Sequence, residues 1–117
     1  MQSLGAIGEQ EAARYLQERN FQILHTNFRT KIGELDIVAQ KKETLVLVEV
    51  KSRIGDFRGK PYEAVNKRKI DHIKRTGYAY LLVNKIKHAT LRIDVVSIEY
   101  NSDLSVKKLQ HFENITQ

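Results

Sequence analysis

Cysteine is absent from this chain, and its absence excludes two ways of stabilising a small protein. A disulfide scaffold and a thiolate zinc site both need thiols. The lack of cysteine also fits a reducing compartment, so we expect the protein in the cytoplasm. With one proline, no low-complexity tract and no internal repeat, the 117 residues show no linker. We predict a single domain over residues 1–117 with one hydrophobic core.

Long apolar runs are missing as well. No uncharged stretch approaches the roughly 20 residues that span a bilayer, and Glu9 and Glu11 come too early for a signal peptide. The composition, 41% hydrophobic and 29% charged, is that of an ordinary soluble globular protein, so we expect no membrane partner. P-loop and dinucleotide fingerprints are also absent, which argues against ATP or NAD as cofactors.

Positive charge, by contrast, is abundant and concentrated. The formal net charge is +6 and the pI about 9.6. Residues 51–75 contain three acidic residues and nine basic ones, namely Lys51, Arg53, Arg58, Lys60, Lys67, Arg68, Lys69, Lys74 and Arg75. A concentrated basic surface indicates a polyanionic partner, with nucleic acid the first candidate and an anionic membrane the second. A solvated helix face is the alternative, and composition alone does not decide.

Hydrophobic spacing predicts two helices. The first begins after Ser3, a candidate N-cap, and ends near Asn20, a residue type that tolerates the left-handed conformation. A basic, glycine-containing loop is predicted over residues 52–60. The second helix is predicted over residues 61–84, with Pro61 in its first turn.

Strand patterns occupy most of the remaining chain. The predicted strands are residues 21–29, 33–40, 44–51, 89–100 and, as a last strand or edge segment, 106–113. This order of helices and strands is typical of an α/β or α+β sandwich with a mixed sheet. The third strand, TLVLVEVK, is almost continuously Leu and Val, so we predict that it is central and covered on both faces.

Charged residues interrupt two of these strands, at Asp36, Glu49 and Lys51. Side chains alternate between the faces of a strand, so Glu49 and Lys51 share one face. If residues 33–51 form an antiparallel hairpin, Asp36 and Glu49 lie near the same end of neighbouring strands. A slip of one residue in the register would turn Asp36 away. Glu9 joins this group only if the first helix packs over the same end of the sheet.

Neighbouring buried carboxylates require a compensating cation. Mg²⁺ suits such a site, because it prefers oxygen ligands and is usually held by one or two carboxylates plus substrate phosphate. Lys51 would then orient a water molecule or stabilise charge on phosphate oxygens. The alternative is an exposed strand end, where Glu49 and Lys51 form a weak ion pair and Asp36 is a charge beside a turn.

A series of longer motifs favours the first interpretation. The segments GAIGEQEAARYL, NFR, GELDIVA, LVEVKSR, EAVNKRKIDHI and RIDVV follow one another from Gly5 to Val96. In them the chain resembles the PD-(D/E)xK nuclease superfamily and, more closely, the YraN family of small bacterial proteins related to Holliday-junction resolvases. The resemblance implies an α/β fold of the restriction-endonuclease type, a three-layer sandwich whose central mixed sheet is flanked by helices.

The resemblance also implies an activity and residue roles. The activity is metal-dependent endonucleolytic hydrolysis of phosphodiester bonds, with Mg²⁺ or Mn²⁺ as cofactor and nucleic acid, foremost DNA, as partner. Asp36 and Glu49 match the metal-binding acids, Lys51 the catalytic lysine, and Glu9 the first-helix glutamate of the resolvase-like branch. The residues expected to bind nucleic acid are Arg29, Arg53, Arg58, Lys60, Lys67, Arg68 and Lys69, and Glu34 is notable without a defined role. Leu35 replaces the superfamily's nominal proline, which leaves the metal assignment intact.

Other polar and aromatic residues have two interpretations each. The histidines, His25, His72, His88 and His111, lack zinc spacing and are expected to be surface or structural residues. Asp94 either approaches the site or lies at an edge or the end of a ladder. Tyr62, Tyr78 and Tyr80 either stack on bases or pack the second helix on the sheet. A non-catalytic nucleic-acid-binding module remains the rival function, and a homodimer is expected if the substrate is a junction needing two symmetric cuts.

Overall fold

Two helices flank one five-stranded sheet in the computed structural model, which describes residues 2–116 except the side chain of Ala64. The helices are α1 (Leu4–Glu18) and α2 (Lys67–Val83), and the strands are β1 (Gln22–Arg29), β2 (Glu34–Lys41), β3 (Thr44–Ile54), β4 (Thr90–Tyr100) and β5 (Val106–Phe112). The strands follow chain order across the sheet, with β3 and β4 parallel and the other neighbours antiparallel. The predicted α/β sandwich with a mixed sheet is confirmed, and it is consistent with a restriction-endonuclease-like fold.

The third strand lies at the centre of the sheet, as predicted. Residues 45–48 are all buried, and alternate side chains enter different hydrophobic clusters. The even-numbered ones pack with Ala12 and Leu16 of α1, and the odd-numbered ones pack with Ile73 and Tyr80 of α2. The helices therefore cover opposite faces of the sheet. No helix within residues 2–116 combines the length and the apolar character needed to cross a bilayer.

The predicted ends of the first helix are confirmed. Ser3 caps the helix, since its hydroxyl oxygen accepts the N–H of Ala6 at 3.1 Å. Asn20, just past the helix, has a φ of 69° and so takes the left-handed conformation. These short-range signals act within a few residues, which is why the sequence alone predicts them.

The second predicted helix is wrong in its continuity. Residues Pro61–Ala64 form a separate 3₁₀ turn, and α2 begins only at Lys67. Between them Asn66 has extended backbone angles, and its side chain accepts the N–H of Lys69 at 2.9 Å. A residue that caps a helix in this way cannot also continue one, so Asn66 divides the segment.

The predicted loop over residues 52–60 begins three residues late, at Gly55. Ser52, Arg53 and Ile54 stay in β3 because they pair with the end of β4, down to Tyr100. Gly55 then leaves the sheet with a φ of 94°, a conformation that favours glycine. Pairing with a long parallel neighbour thus extends the strand beyond its apolar run.

The first helix approaches β3 most closely at Gly8. A Cβ atom at this position would overlap the hydroxyl of Ser52 and lie 3.0 Å from its Cβ. We therefore expect Gly8→Ala to displace α1 and to lower the free energy of unfolding by about 1–3 kcal/mol, measured by urea denaturation.

The matched control for this prediction is Gly5→Ala, an exposed position on the same helix. A Cβ at Gly5 meets no side chain nearer than Ser3, at 3.9 Å. Helix propensity should then raise the free energy of unfolding by up to about 1 kcal/mol. Equal midpoints for the two variants would contradict the close approach at Gly8.

Candidate metal and phosphate site

Two carboxylates meet at one end of the hairpin formed by β2 and β3. The hairpin pairs Ile37 with Val48, so the next positions, Asp36 and Glu49, oppose each other. This is the register in which the sequence pattern brings the two acids together. The Oδ2 atom of Asp36 accepts the N–H of Val50 at 2.9 Å, which holds the Asp36 carboxylate against β3. Asp36 lies two residues before Val38 and Glu49 two residues after Leu47, and both of these core residues lie beneath α2. The two acids therefore face that helix.

Glu49 is buried, with 8% of the residue exposed. Burial, the charge of Asp36 and a hydrogen bond between the two carboxyl groups raise the pKa of Glu49 to about 8, against the opposing charges of Lys69 and Lys51. Near neutral pH Glu49 therefore keeps its proton when no metal is bound. A divalent cation between the carboxylates would replace that proton and remove the repulsion.

Two lysines lie beside the carboxylates without neutralising them directly. Lys51 follows Glu49 on the same face of β3, and Lys69 reaches the site from α2. Burial, with Lys69 as the next cause, lowers the pKa of Lys51, while Glu49 and Asp36 oppose this. Within residues 2–116 neither lysine has a carboxylate oxygen within 4.0 Å. The site thus holds a pair of acids next to a pair of cations.

A cavity of about 220 Å³ opens between this end of the hairpin and α2. Its walls combine charged and small side chains, namely Gly33, Glu34, Asp36, Glu49, Lys69, His72, Ile73 and Thr76. A Cβ atom on Gly33 would lie 2.9 Å from the hydroxyl of Thr76, so the loop between β1 and β2 closes tightly on the helix. The cavity thus places Glu34, Lys69 and His72 around the two carboxylates.

The contribution of α2 to this cavity was not predicted as a group. Its lining residues lie at positions 69, 72, 73 and 76, the spacing that places side chains on one face of a helix. Lys69 was expected only to bind nucleic acid, and His72 only to be structural or exposed. The spacing of these residues in the sequence indicates a shared helix face. That this face lines the cavity follows only from the position of α2 against β2.

The donor set fits a hard divalent cation such as Mg²⁺. Asp36 and Glu49 supply carboxylate oxygens, and among residues 2–116 no group of three or more His, Cys, Asp and Glu side chains is placed to hold a metal. A closed zinc site with four protein ligands is therefore not formed by this part of the chain. Two carboxylates suffice for Mg²⁺, which keeps several waters and takes further oxygens from substrate phosphate.

Glu9 approaches from the opposite face of the sheet. It lines a separate cavity of about 210 Å³ together with Asn27 of β1. Burial raises the pKa of Glu9, a hydrogen bond with Asn27 opposes this, Asp36 and Glu34 raise it further, and Arg29 lowers it. Glu9 is therefore coupled electrostatically to Asp36 without sharing its cavity, and its role in metal binding stays a prediction.

The predicted nucleic-acid-binding residues divide into separate places. Lys67 and Arg68 line a groove of about 380 Å³ on α2, together with Asp71, His72 and Arg75. His72 also lines the acidic cavity, so the groove and the cavity adjoin. The groove on α2 therefore borders the cavity that contains Asp36 and Glu49.

Four other predicted basic residues lie outside both the groove and the cavity. Arg29 is exposed on β1 and pairs with Glu34 at 3.3 Å. Arg53 is exposed on β3 two residues after Lys51, and Arg58 and Lys60 are exposed in the following loop. These residues add positive charge to the surface, but they line neither the cavity nor the groove.

Both interpretations of Asp94 are wrong. It lies inside β4 opposite Val48, fully buried, and shares a face with Val96 and Ile98 of the core beneath α1. Its carboxylate accepts hydrogen bonds from Arg92 Nε and Nη2 at 2.9 Å each, His111 Nε2 at 2.8 Å and the N–H of Asn114 at 2.9 Å. This network satisfies the charge internally, which is why Asp94 needs neither the site nor a strand edge.

The tyrosines also divide. Tyr80 is buried against Phe28, with ring centroids 5.0 Å apart, and Tyr62 packs on Phe112 at 4.9 Å. The prediction that the tyrosines pack the second helix on the sheet therefore holds for Tyr80, whereas Tyr62 packs on β5 from the 3₁₀ turn before α2. Tyr78 is 57% exposed on α2, so packing does not account for its side chain.

Comparisons with known proteins cover nearly the whole chain. The model of the Uncharacterised protein family UPF0102 matches residues 8–98. A UPF0102 protein of Acetivibrio thermocellus is 40% identical over 114 residues, covering 94% of this chain and 88% of that protein. One of Alkaliphilus oremlandii is 42% identical over 113 residues, covering 95% of each. One of Pelotomaculum thermopropionicum is 36% identical over 111 residues, covering 95% and 92%.

Proposed function

This chain belongs to the Uncharacterised protein family UPF0102, the YraN family that its motifs indicate, and we propose that it is a metal-dependent endonuclease hydrolysing phosphodiester bonds in nucleic acid. One observation carries the proposal: Asp36 faces buried Glu49 beside a pair of lysines that have no carboxylate within 4.0 Å in residues 2–116. The motifs shared with resolvases favour structured or branched DNA as the substrate.

Each residue of the site has a task in this reaction. Asp36 and Glu49 hold Mg²⁺ or Mn²⁺, with Glu9 as a supporting acid. When bound, the ion supplies positive charge beside the scissile phosphate and makes the attacking water more acidic. Lys51 orients that water or stabilises the charge that develops on the phosphate oxygens.

The basic surface binds the phosphate backbone. The groove on α2 and the exposed arginines and lysines around it neutralise phosphates without reading base edges. Binding should therefore weaken steeply with salt and depend little on sequence. Cutting both arms of a junction needs two sites, so a two-fold dimer suits a branched substrate. The absence of cysteine favours the cytoplasm as the place of this activity.

A second candidate function is a non-catalytic nucleic-acid-binding module that kept the nuclease scaffold. One observation favours it: within residues 2–116 the acids form a pair and no larger metal-binding group. In that case the basic groove works without chemistry at Asp36 and Glu49.

Cleavage assays separate these functions. Wild type, Asp36→Ala and Lys51→Ala are incubated with labelled linear, flapped and four-way DNA, and with matching RNA, with and without Mn²⁺. We expect wild type to cut only with the metal and each variant to lose at least about 100-fold in rate, because each removes charge from the site. The preferred substrate identifies the structure that is recognised.

Glu43→Gln serves as the matched control, because Glu43 lies in the turn at the other end of the same hairpin. It should cut like wild type. If wild type never cuts and all proteins bind DNA equally, the nuclease proposal fails and the binding module stands. A lack of nucleic-acid affinity at moderate salt excludes both and favours an anionic membrane or a protein as partner.

A further inference from the structure

Lys69 occupies an unusual place for a residue in a basic segment. Its neighbours Lys67 and Arg68 line the outer groove, whereas Lys69 enters the acidic cavity with Asp36 and Glu49. The backbone N–H of Lys69 donates to Oδ1 of Asn66 at 2.9 Å. This cap fixes the first turn of α2, from which the side chain of Lys69 extends into the cavity. Consecutive basic residues thus serve two different surfaces.

Charges of both signs meet at this cavity. Asp36 and Glu49 line it with Glu34, and Lys69 brings a positive charge into it. Lys51 lies on the same face of β3 as Glu49, and burial, together with the charge of Lys69, lowers the pKa of Lys51. Adjacent ammonium groups repel, and neither has a carboxylate oxygen within 4.0 Å among residues 2–116. An anion that contacts both lysines would relieve this repulsion. A phosphate group supplies several oxygens for that purpose.

We propose that Lys69 contacts the scissile phosphate together with Lys51 and supplies the charge that a second metal ion provides in two-metal nucleases, so that this site uses one divalent ion. This inference rests on the proposed nuclease function. Two-metal sites place their ions about 3.5–4 Å apart and need ligands for both. Within residues 2–116 no group of three or more His, Cys, Asp and Glu side chains is placed to hold a metal, and the ammonium of Lys69 repels a second cation at the cavity.

Kinetics at saturating protein test the contact with substrate. In Mn²⁺, Lys69→Ala should lower the single-turnover cleavage rate by about 100-fold while the Kd for DNA changes less than about tenfold, because the lost contact acts in the transition state. Lys69→Arg should recover part of the rate. Lys67→Ala should instead act on binding: it should weaken the affinity for DNA and reduce its salt dependence by about one phosphate contact.

Calorimetry tests the same residue without cleavage. Wild type should bind one Mn²⁺ per chain, and Lys69→Ala should bind it at least as tightly because a repelling charge is gone. Inorganic phosphate should bind the Mn²⁺-loaded wild type at least about tenfold more tightly than the loaded Lys69→Ala protein. Lys108→Ala, an exposed change on β5, should match wild type in every measurement. Unchanged thermal unfolding of Lys69→Ala excludes a structural cause.

Failure of this inference differs from failure of the nuclease proposal. Two Mn²⁺ ions per wild-type chain, a wild-type cleavage rate in Lys69→Ala, or equal phosphate affinity in both proteins would overturn the role of Lys69 even if wild type cuts DNA. A wild type that never cuts overturns the nuclease proposal. The ion count and the phosphate affinity then still decide whether Lys51 and Lys69 bind phosphate beside a single ion.

Discussion

Glu49→Gln is expected to abolish metal-dependent cleavage and, at high pH, to stabilise the metal-free protein. Burial and Asp36 raise the pKa of Glu49 from 4.5 to about 8, so between these values the folded protein binds a proton that the unfolded chain has released. The free energy of unfolding therefore falls as the pH rises through this range. Glutamine keeps the shape of the side chain and has no proton to lose.

The expected difference can be measured by urea denaturation in EDTA. Near pH 4 the two proteins should be about equally stable, since both side chains are then uncharged. At pH 9 the variant should be more stable, by on the order of 3 kcal/mol. Saturating Mn²⁺ should raise the stability of wild type and not that of the variant, because binding to the folded state alone stabilises it.

Cleavage provides the second part of this prediction. Without the Glu49 charge the rate should fall at least about 1,000-fold, because the metal binds more weakly and no longer stabilises the charge that develops in the transition state. Glu43→Gln should match wild type in cleavage and stability. A Glu49→Gln protein that cuts faster than a tenth of the wild-type rate, or that is no more stable at pH 9, would contradict the arrangement of the site.

Asp94→Asn should have the largest effect on stability. It removes the charge of a fully buried carboxylate that pairs with Arg92 and His111, and Arg92 then keeps only the more distant Glu113, at 4.0 Å, among residues 2–116. Breaking a buried ion pair in this way costs about 3–5 kcal/mol, a large part of the 5–15 kcal/mol that holds a typical domain folded. The cleavage rate per folded molecule should be unchanged, because Asp94 lies on the face of α1.

The stability difference between wild type and Asp94→Asn should depend on pH, and the pKa of Asp94 sets the direction of that dependence. Burial alone would raise the pKa of Asp94, but hydrogen bonds from His111, Arg92 and the Asn114 N–H outweigh it and hold the pKa below 3.8. The stabilisation is therefore present above pH 4 and is lost as the pH falls through the lower folded value. Wild type and variant should differ strongly in urea at pH 7 and converge under strongly acidic conditions.

Asp56→Asn is the control for Asp94, because Asp56 also pairs with a cation but at the surface. It lies 2.5 Å from Lys107 with 73% of its side chain exposed. Water and salt screen such a pair, so its loss should leave the denaturation midpoint unchanged. Similar losses for Asp56→Asn and Asp94→Asn would contradict the importance of burial.

Local signals in the sequence were sufficient for much of the fold. The cap at Ser3, the turn at Asn20 and the buried run of β3 act over a few residues or along one strand, and each was predicted. The same local reasoning failed at Asn66, where one side-chain hydrogen bond outweighs a continuous apolar stripe. It failed again at residues 52–54, which stay in β3 because β4 pairs with them.

Residue types and their spacing indicate which residues carry the charges: Asp36 and Glu49 at the ends of apolar strands, Lys51 two positions on, and a basic segment after them. Which of these charges meet depends on how the helices and strands pack. Lys69 lies beside Lys51 only because α2 crosses the sheet above β3, and Asp94 is turned away from the site by the alternation of β4. Proximity between distant segments depends on packing and strand order, which a linear pattern does not contain.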